Sequence, residues 1–103
     1  MEELVLMLQE IGLPFAYDHF AEGESPKPPF ICYLLPGSNN CAADGNVYFH
    51  INEVRIELYT DKKDLSVENK VTAVLDGHGI FYNRSEVWIA SEKLYEVIFQ
   101  MEV

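Results

Sequence analysis

The segment from Val47 to Thr60 constrains the fold most, because its alternation of apolar and polar residues changes phase part-way along. Strand side chains point to opposite faces in turn, so the buried face must change near Asn52. Two interpretations stay open. A β-bulge resets the register there, or the first half leaves the domain as a projecting hairpin, in which Val47–Ile51 pairs with Phe30–Pro36 and contacts a neighbour. In the first half of the segment the apolar residues have odd numbers, and in the second half they have even numbers. They are Val47, Phe49 and Ile51, followed by Val54, Ile56 and Leu58.

Two segments have the apolar spacing of amphipathic helices. The first is predicted over about residues 2–11, because Gly12 and Pro14 follow its last apolar position and stop a helix. The second begins after Asp64, an N-cap residue, and ends at Gly77 or Gly79. Their apolar stripes, the second with one histidine at its end, are Leu4, Met7, Leu8 and Ile11, then Val67, Val71, Val74, Leu75 and His78.

The remaining apolar segments predict strands. Pro14–Phe20 predicts a short strand, and the continuously apolar Phe30–Pro36 predicts a strand covered on both faces. Ile80–Tyr82 and Glu86–Ile89 predict a short hairpin around 83–85. Lys93–Val103 predicts a half-buried antiparallel strand, with a turn before it. Two segments predict loops: the proline-rich Ala21–Pro29, and Gly37–Asn46, which carries an Asp44-Gly45 turn signal.

The element order is therefore α-β-β-β-α-β-β. It lacks regular βαβ alternation, which favours the α+β class with a mostly antiparallel sheet of four to five strands and two helices on one face. The projecting hairpin is an optional addition to this fold. A chain of 103 residues is long enough for a single domain spanning 1–103 and too short for two.

The charge balance limits the kinds of partner that the protein is expected to bind. Seven Lys and Arg residues stand against 17 Asp and Glu, a net charge of −10. No basic patch is visible, so we expect neither direct nucleic-acid recognition nor binding to anionic membranes. No apolar run approaches the roughly 20 residues that a membrane span needs. The acidic start at Met1 is unlike a signal peptide, so an intracellular protein with reduced Cys32 and Cys41 is expected.

No residue pattern predicts catalysis. Asp18 and His19 could start an acid/base pair, and His78 is the other candidate, but no oriented partner is visible for any of them. The histidines and cysteines lack the paired spacing of a zinc site. The segment Asp76–Gly79 lacks the context of a phosphate loop and predicts a helix stop. We therefore expect no enzymatic activity, no cofactor and no metal.

Interface residues are the remaining candidates for function. Tyr and Trp are common anchors of protein interfaces, and the chain carries six Tyr and one Trp. The loop after Phe30–Pro36 and the first half of the Val47–Thr60 segment are the predicted contact region. Its members are Ser38, Asn39, Asn40, Asp44, Tyr48, Phe49 and His50.

Two motifs carry a resemblance to a known family. They are "IELYTDKKD" (Ile56–Asp64) and "SEKLYEVIF" (Ser91–Phe99), within a similarity that extends over about Pro29 to Glu102. The chain resembles small structural proteins from the tail-assembly regions of siphoviruses and of prophages of Gram-positive bacteria, specifically tail terminator or head–tail joining proteins. The likeness is one of overall pattern, and no catalytic residue is carried over with it.

The resemblance implies a subunit that closes into a ring, commonly a hexamer, on the end of the tail tube. The implied partners are further copies of the chain, tail-tube proteins and head-connector proteins. The implied location is the cytoplasm of the bacterial host during assembly, and afterwards the virion. The alternative is a small intracellular protein-binding module or regulator, for which a stable monomer or dimer is expected.

Overall fold

The computed structural model describes residues 2–21, 25–38, 41–43, 46–49 and 51–103. These residues form two helices and seven strands in a single α+β arrangement. Their bounds are α1 Glu2–Ile11, β1 Phe15–Tyr17, β2 Phe30–Ser38, β3 Cys41–Ala43, β4 Asn46–Phe49, β5 Asn52–Thr60, α2 Leu65–Gly77, β6 Tyr82–Ile89 and β7 Leu94–Glu102.

The main sheet has five strands in the order β1-β2-β5-β7-β6. β1 pairs with β2 in parallel, and the other three pairings are antiparallel. Both helices pack on one face of this sheet. The predicted fold class is confirmed, and the elements of the main sheet follow the predicted order α-β-β-β-α-β-β, with β3 and β4 added between β2 and β5.

β3 and β4 form a separate two-stranded antiparallel sheet. The change of phase in Val47–Thr60 thus arises because its two halves belong to different sheets. Of the two interpretations, the one in which Val47–Ile51 pairs with Phe30–Pro36 was wrong about the partner: β4 pairs with β3, and β2 pairs with β5. A register shift does occur, in β2 between Leu34 and Gly37 rather than at Asn52.

Two other predictions need correction. The segment Gly37–Asn46 is not loop throughout, because 41–43 form β3; Asp44 and Gly45 lie outside the described residues. The segments predicted as a hairpin around 83–85 are one strand, β6, whose pairing with β7 runs without a shift from Tyr82 to Ile89. The long neighbouring strand supplies a complete ladder, which outweighs the local turn preference of Asn83–Ser85.

The core lies between the helices and the main sheet. Both helices start and stop as predicted: the Asp64 carboxylate accepts the amides of Ser66 and Val67, at 3.1 and 3.4 Å, and Gly12 follows α1 with φ +83. In β7 the face predicted to be buried supplies Val97, Phe99 and Met101 to the core, while Tyr95 on the same face is half-buried. The least exposed side chains of the core are Leu8, Ile31, Val54, Ile56, Leu58, Val71, Leu75, Val97 and Phe99.

Neither of the two described helices lies over the other face of the main sheet. Phe30 on this face contacts Phe20 and Tyr59, with ring centroids 5.5 and 5.1 Å apart. Of the segment predicted to be covered on both faces, only the first residues Phe30–Cys32 are buried, and Pro36 is exposed. The first part of β2 is therefore buried on both faces, with Ile31 in the core and Phe30 and Cys32 on the other face, while its second half is more exposed than predicted.

Candidate functional site

Three residues of the predicted contact region lie in the β3–β4 hairpin, which we define as residues 41–49, or at its base. Ser38 is the exposed last residue of β2 and lies directly opposite Asn52. Tyr48 and Phe49 lie in β4, where Phe49 is opposite Cys41. The other four members of the predicted set, Asn39, Asn40, Asp44 and His50, lie outside the described residues.

A second candidate surface is the outer edge of β6, which sequence reasoning missed. Among the described strands, β6 pairs only with β7, so one side of its backbone has no strand partner. Val87 and Trp88 are each 48% exposed, and Phe81, just before the strand, is 82% exposed. By contrast the opposite edge of the sheet, β1, has three residues. The long unbulged edge was hidden in the sequence because Asn83–Ser85 resembles a turn.

The charged side chains of β6 are neutralised by neighbouring elements. Arg84 donates from Nε to Oε1 of the buried Glu68 on α2, at 3.1 Å. Lys63 lies 2.7 Å from Oε2 of Glu68 and also contacts Glu86. The hydrogen bond from Lys63 is the main cause of a lowered pKa at Glu86. The edge strand therefore carries one cation and one anion, both paired within the subunit.

A polar cluster crosses from β5 to β7 on the helix-free face. The Tyr59 hydroxyl oxygen lies 3.0 Å from Oε1 of Glu57 and 2.6 Å from Oε2 of Glu96. A hydroxyl carries one proton, so Tyr59 can donate to only one of the two carboxylates at a time. Arg55 Nε lies 2.9 Å from Oε2 of Glu57, but its N–H is not aligned for a hydrogen bond.

Burial dominates the protonation chemistry of this cluster. Burial is the main cause of a raised pKa at Glu57, with the Glu96 carboxylate adding to it, while Tyr59 and Arg55 act in the opposite direction. The pKa of the Tyr59 hydroxyl is also raised, chiefly by burial. Cys32 is opposite Glu57 in the sheet, and burial together with that carboxylate raises its thiol pKa to about 11. A protonated, buried thiol is a poor nucleophile, so the cluster is suited to holding β5 against β7.

The residues that the sequence offered as acid/base candidates lie in two separate histidine–carboxylate pairs. His19 Nδ1 lies 2.9 Å from Oδ2 of its neighbour Asp18, and both side chains are largely exposed. His78 Nε2 lies 3.1 Å from Oε2 of Glu10 on α1, also at the surface. Each of these two histidines therefore has its own carboxylate partner. Over the described ranges, no group of three or more His, Cys, Asp or Glu side chains is placed to hold a metal ion.

A groove of about 530 Å³ lies where β5, β6 and β7 approach the base of the β3–β4 hairpin. Its lining includes Pro36, Arg55, Phe81, Asn83 and Gln100. No Cys, His, Ser or Thr lines it among the described residues. Two carboxylates, Glu53 and Glu102, also line it. Aromatic, amide and guanidinium groups of this kind are typical of contacts with another polypeptide.

Comparison with protein-family models, with curated proteins and with solved structures found no match. Within the described part of the chain, neither helix is long and apolar enough to cross a membrane.

Proposed function

We propose that the protein is a structural component of a siphovirus or prophage particle, at the tail end or the head–tail junction, and that it acts as a tail terminator. It works by self-association into a ring and by docking, without catalysis. Its partners are further copies of itself, the tail-tube protein and the head connector. It assembles in the cytoplasm of the bacterial host and ends in the virion.

The observation that carries this proposal is the β3–β4 hairpin. Its strands belong to a sheet of their own and follow β2 and precede β5 in the chain. Because β3 and β4 pair with each other and with no described strand of the main sheet, we take them as the segment that contacts a neighbouring subunit. Three of the residues predicted for partner contact, Ser38, Tyr48 and Phe49, lie in this hairpin or at its base, which supports an interaction role for the region.

Two further features support a ring. The long edge of β6 offers a second surface, and a ring needs two different patches on each subunit. The net charge of −10 suits a ring whose acidic lumen lets DNA pass without adhering, because like charges repel. The resemblance of Ile56–Asp64 and Ser91–Phe99 to tail terminator and head–tail joining proteins points the same way.

The proposal is tested with tail tubes of the phage or prophage that encodes the chain. The purified protein is added to tubes assembled without it, and the products are imaged by negative stain. The expected result is a ring at one end of each tube and an arrest of further tube growth. Tubes that stay bare and keep growing would contradict the proposal and favour the protein-binding module or regulator.

A further inference from the structure

We infer that the β3–β4 hairpin of one subunit adds as a strand pair to the free edge of β6 on the next subunit. The inference rests on the proposed ring and names the contact that builds it. Two features of the fold support it: the β3–β4 hairpin lacks a third strand, and the outer edge of β6 lacks a strand partner among the described residues.

The β3–β4 hairpin is too small to be stable as an isolated unit. Its strands have three and four residues. A two-stranded hairpin is marginally stable at best in water, and a third strand is usually needed. The main sheet of its own subunit does not supply that strand, because β3 and β4 pair with each other in a separate sheet. A third strand from another subunit would extend the ladder.

The outer edge of β6 has the features of an edge that can pair with an added strand. It is eight residues long, it contains no proline, and its register with β7 has no bulge. Natural sheets protect exposed edges with short strands, bulges, prolines or unpaired lysines. β6 has none of these devices, and its two charged residues, Arg84 and Glu86, are already paired with Glu68 and Lys63. Strand addition to such an edge is a common mode of recognition.

The distribution of charge favours the β3–β4 hairpin as the segment that pairs with the edge of β6. The strands β3 and β4 contain no Asp, Glu, Lys or Arg, in a chain of net charge −10. Two copies of the chain repel each other overall, so their contact is best made through uncharged or neutralised segments. The two strands of the hairpin are uncharged, and its single charged residue, Asp44, lies between them in the sequence. The edge of β6 carries one cation and one anion, so strands β3 and β4 meet this edge without repulsion.

The topology makes this contact one between different subunits. The hairpin emerges between β2 and β5, and β7 lies between β5 and β6 in the sheet. The hairpin of a subunit is therefore separated from its own β6 edge by a strand. A contact that joins two different patches passes from each subunit to the next, and it closes into a ring if the rotation allows.

Two complementary variants test the contact. In the hairpin deletion, residues 39–51 are replaced by Asn-Gly, which closes the opposed pair Ser38 and Asn52 with a two-residue turn. In the edge variant, Ser85→Lys and Val87→Lys place lysines along β6, where Val87 lies opposite Glu96. The matched control is Asn69→Lys with Ala73→Lys, which adds the same charge on the exposed surface of α2.

Each variant alone is measured by light scattering behind size exclusion over a concentration series, and then the two are mixed. We expect each to lose self-association by at least about tenfold in apparent Kd, a change of roughly 1.4 kcal/mol. The mixture should form a one-to-one pair, because the deletion variant keeps its edge and the edge variant keeps its hairpin. The lysine control should associate like the unmodified chain. Circular dichroism confirms that all variants are folded.

The other outcomes overturn the inference. If the deletion variant still self-associates, the contact is between two edges. If the edge variant does so, the contact is between two hairpins. Failure of the two variants to pair, or an unmodified chain that stays monomeric at all concentrations, also contradicts it. A chain that is monomeric yet caps tail tubes would leave the proposed function standing without this contact, so the two failures are distinguishable.

Discussion

Ser38 and Asn52 lie directly opposite each other at the end of the β2–β5 ladder, and they mark the point where the main sheet stops and the β3–β4 hairpin begins. The hairpin can therefore be removed at this pair without cutting a strand of the main sheet. A deletion at this pair can therefore test the proposed role of the hairpin in assembly separately from the folding of the main sheet.

Replacing residues 39–51 by Asn-Gly should weaken assembly much more than folding. The core lies between the helices and the main sheet, and the new turn is a preferred two-residue hairpin connection. We expect the free energy of unfolding to change by less than about 1 kcal/mol, within the usual range for surface changes. Chemical denaturation followed by circular dichroism measures this. An equal loss of stability and of assembly would show that the hairpin is part of the folding unit.

Glu57→Gln should stabilise the protein at neutral pH. The pKa of Glu57 is raised in the folded state, mainly by burial, so folding favours its neutral form. The stability that this group contributes is fully present below its unfolded pKa and is lost as the pH rises through the folded value. A permanently neutral Gln avoids the loss, so its advantage should grow with pH above about 4.3.

Thermal unfolding midpoints between pH 4 and 8 test this prediction, with the exposed Glu92→Gln as the control. The control should show no gain that grows with pH. A Glu57→Gln variant that is less stable than the unmodified chain at pH 7 would mean that the ion pair with Arg55 outweighs the cost of burial.

Phe99→Ala and Phe81→Ala form a matched pair that tests the core. The Phe99 side chain is fully buried, and its ring packs edge-on against Tyr82 with a centroid distance of 5.7 Å. Its removal should cost about 3–5 kcal/mol. Phe81 is 82% exposed, so its removal should cost less than about 0.5 kcal/mol. Urea denaturation gives both values, and similar losses for the two variants would contradict the described packing.

Cys32 should be unreactive in the native protein. Its side chain is buried, and its thiol pKa of about 11 leaves roughly one thiolate in a thousand at pH 8. In a Cys41→Ser variant, which leaves Cys32 as the only thiol, alkylation at pH 8 should be at least about a hundredfold slower in the native state than in denaturant. Equal rates would show that β2 opens readily at this position.

The sequence predicted the elements whose signals are local. The apolar stripe of α1, the N-cap at Asp64 and the alternation from Tyr95 to Met101 each depend on neighbouring residues, and all three are confirmed. These patterns determine which face is buried, so they also predicted helices on one side of a mostly antiparallel sheet.

The sequence analysis missed or misassigned the features that depend on strand pairing between residues far apart in the sequence. The continuity of β6 depends on β7, which outweighs the turn preference of Asn83–Ser85. The cluster of Tyr59 with Glu57 and Glu96 requires the β5–β7 register, which the sequence does not specify. Of the predicted contact residues, Ser38, Tyr48 and Phe49 lie at or in the hairpin, and their role in binding a partner stays a prediction.

Light scattering behind size exclusion over a concentration series shows whether the chain assembles with itself. We expect a mass that rises from the 11.8 kDa of the single chain to one closed species, which appears as rings in negative stain. The hairpin deletion should stay at the mass of a monomer under the same conditions. A single chain at every concentration, with no capping of tail tubes added to it, would contradict the account.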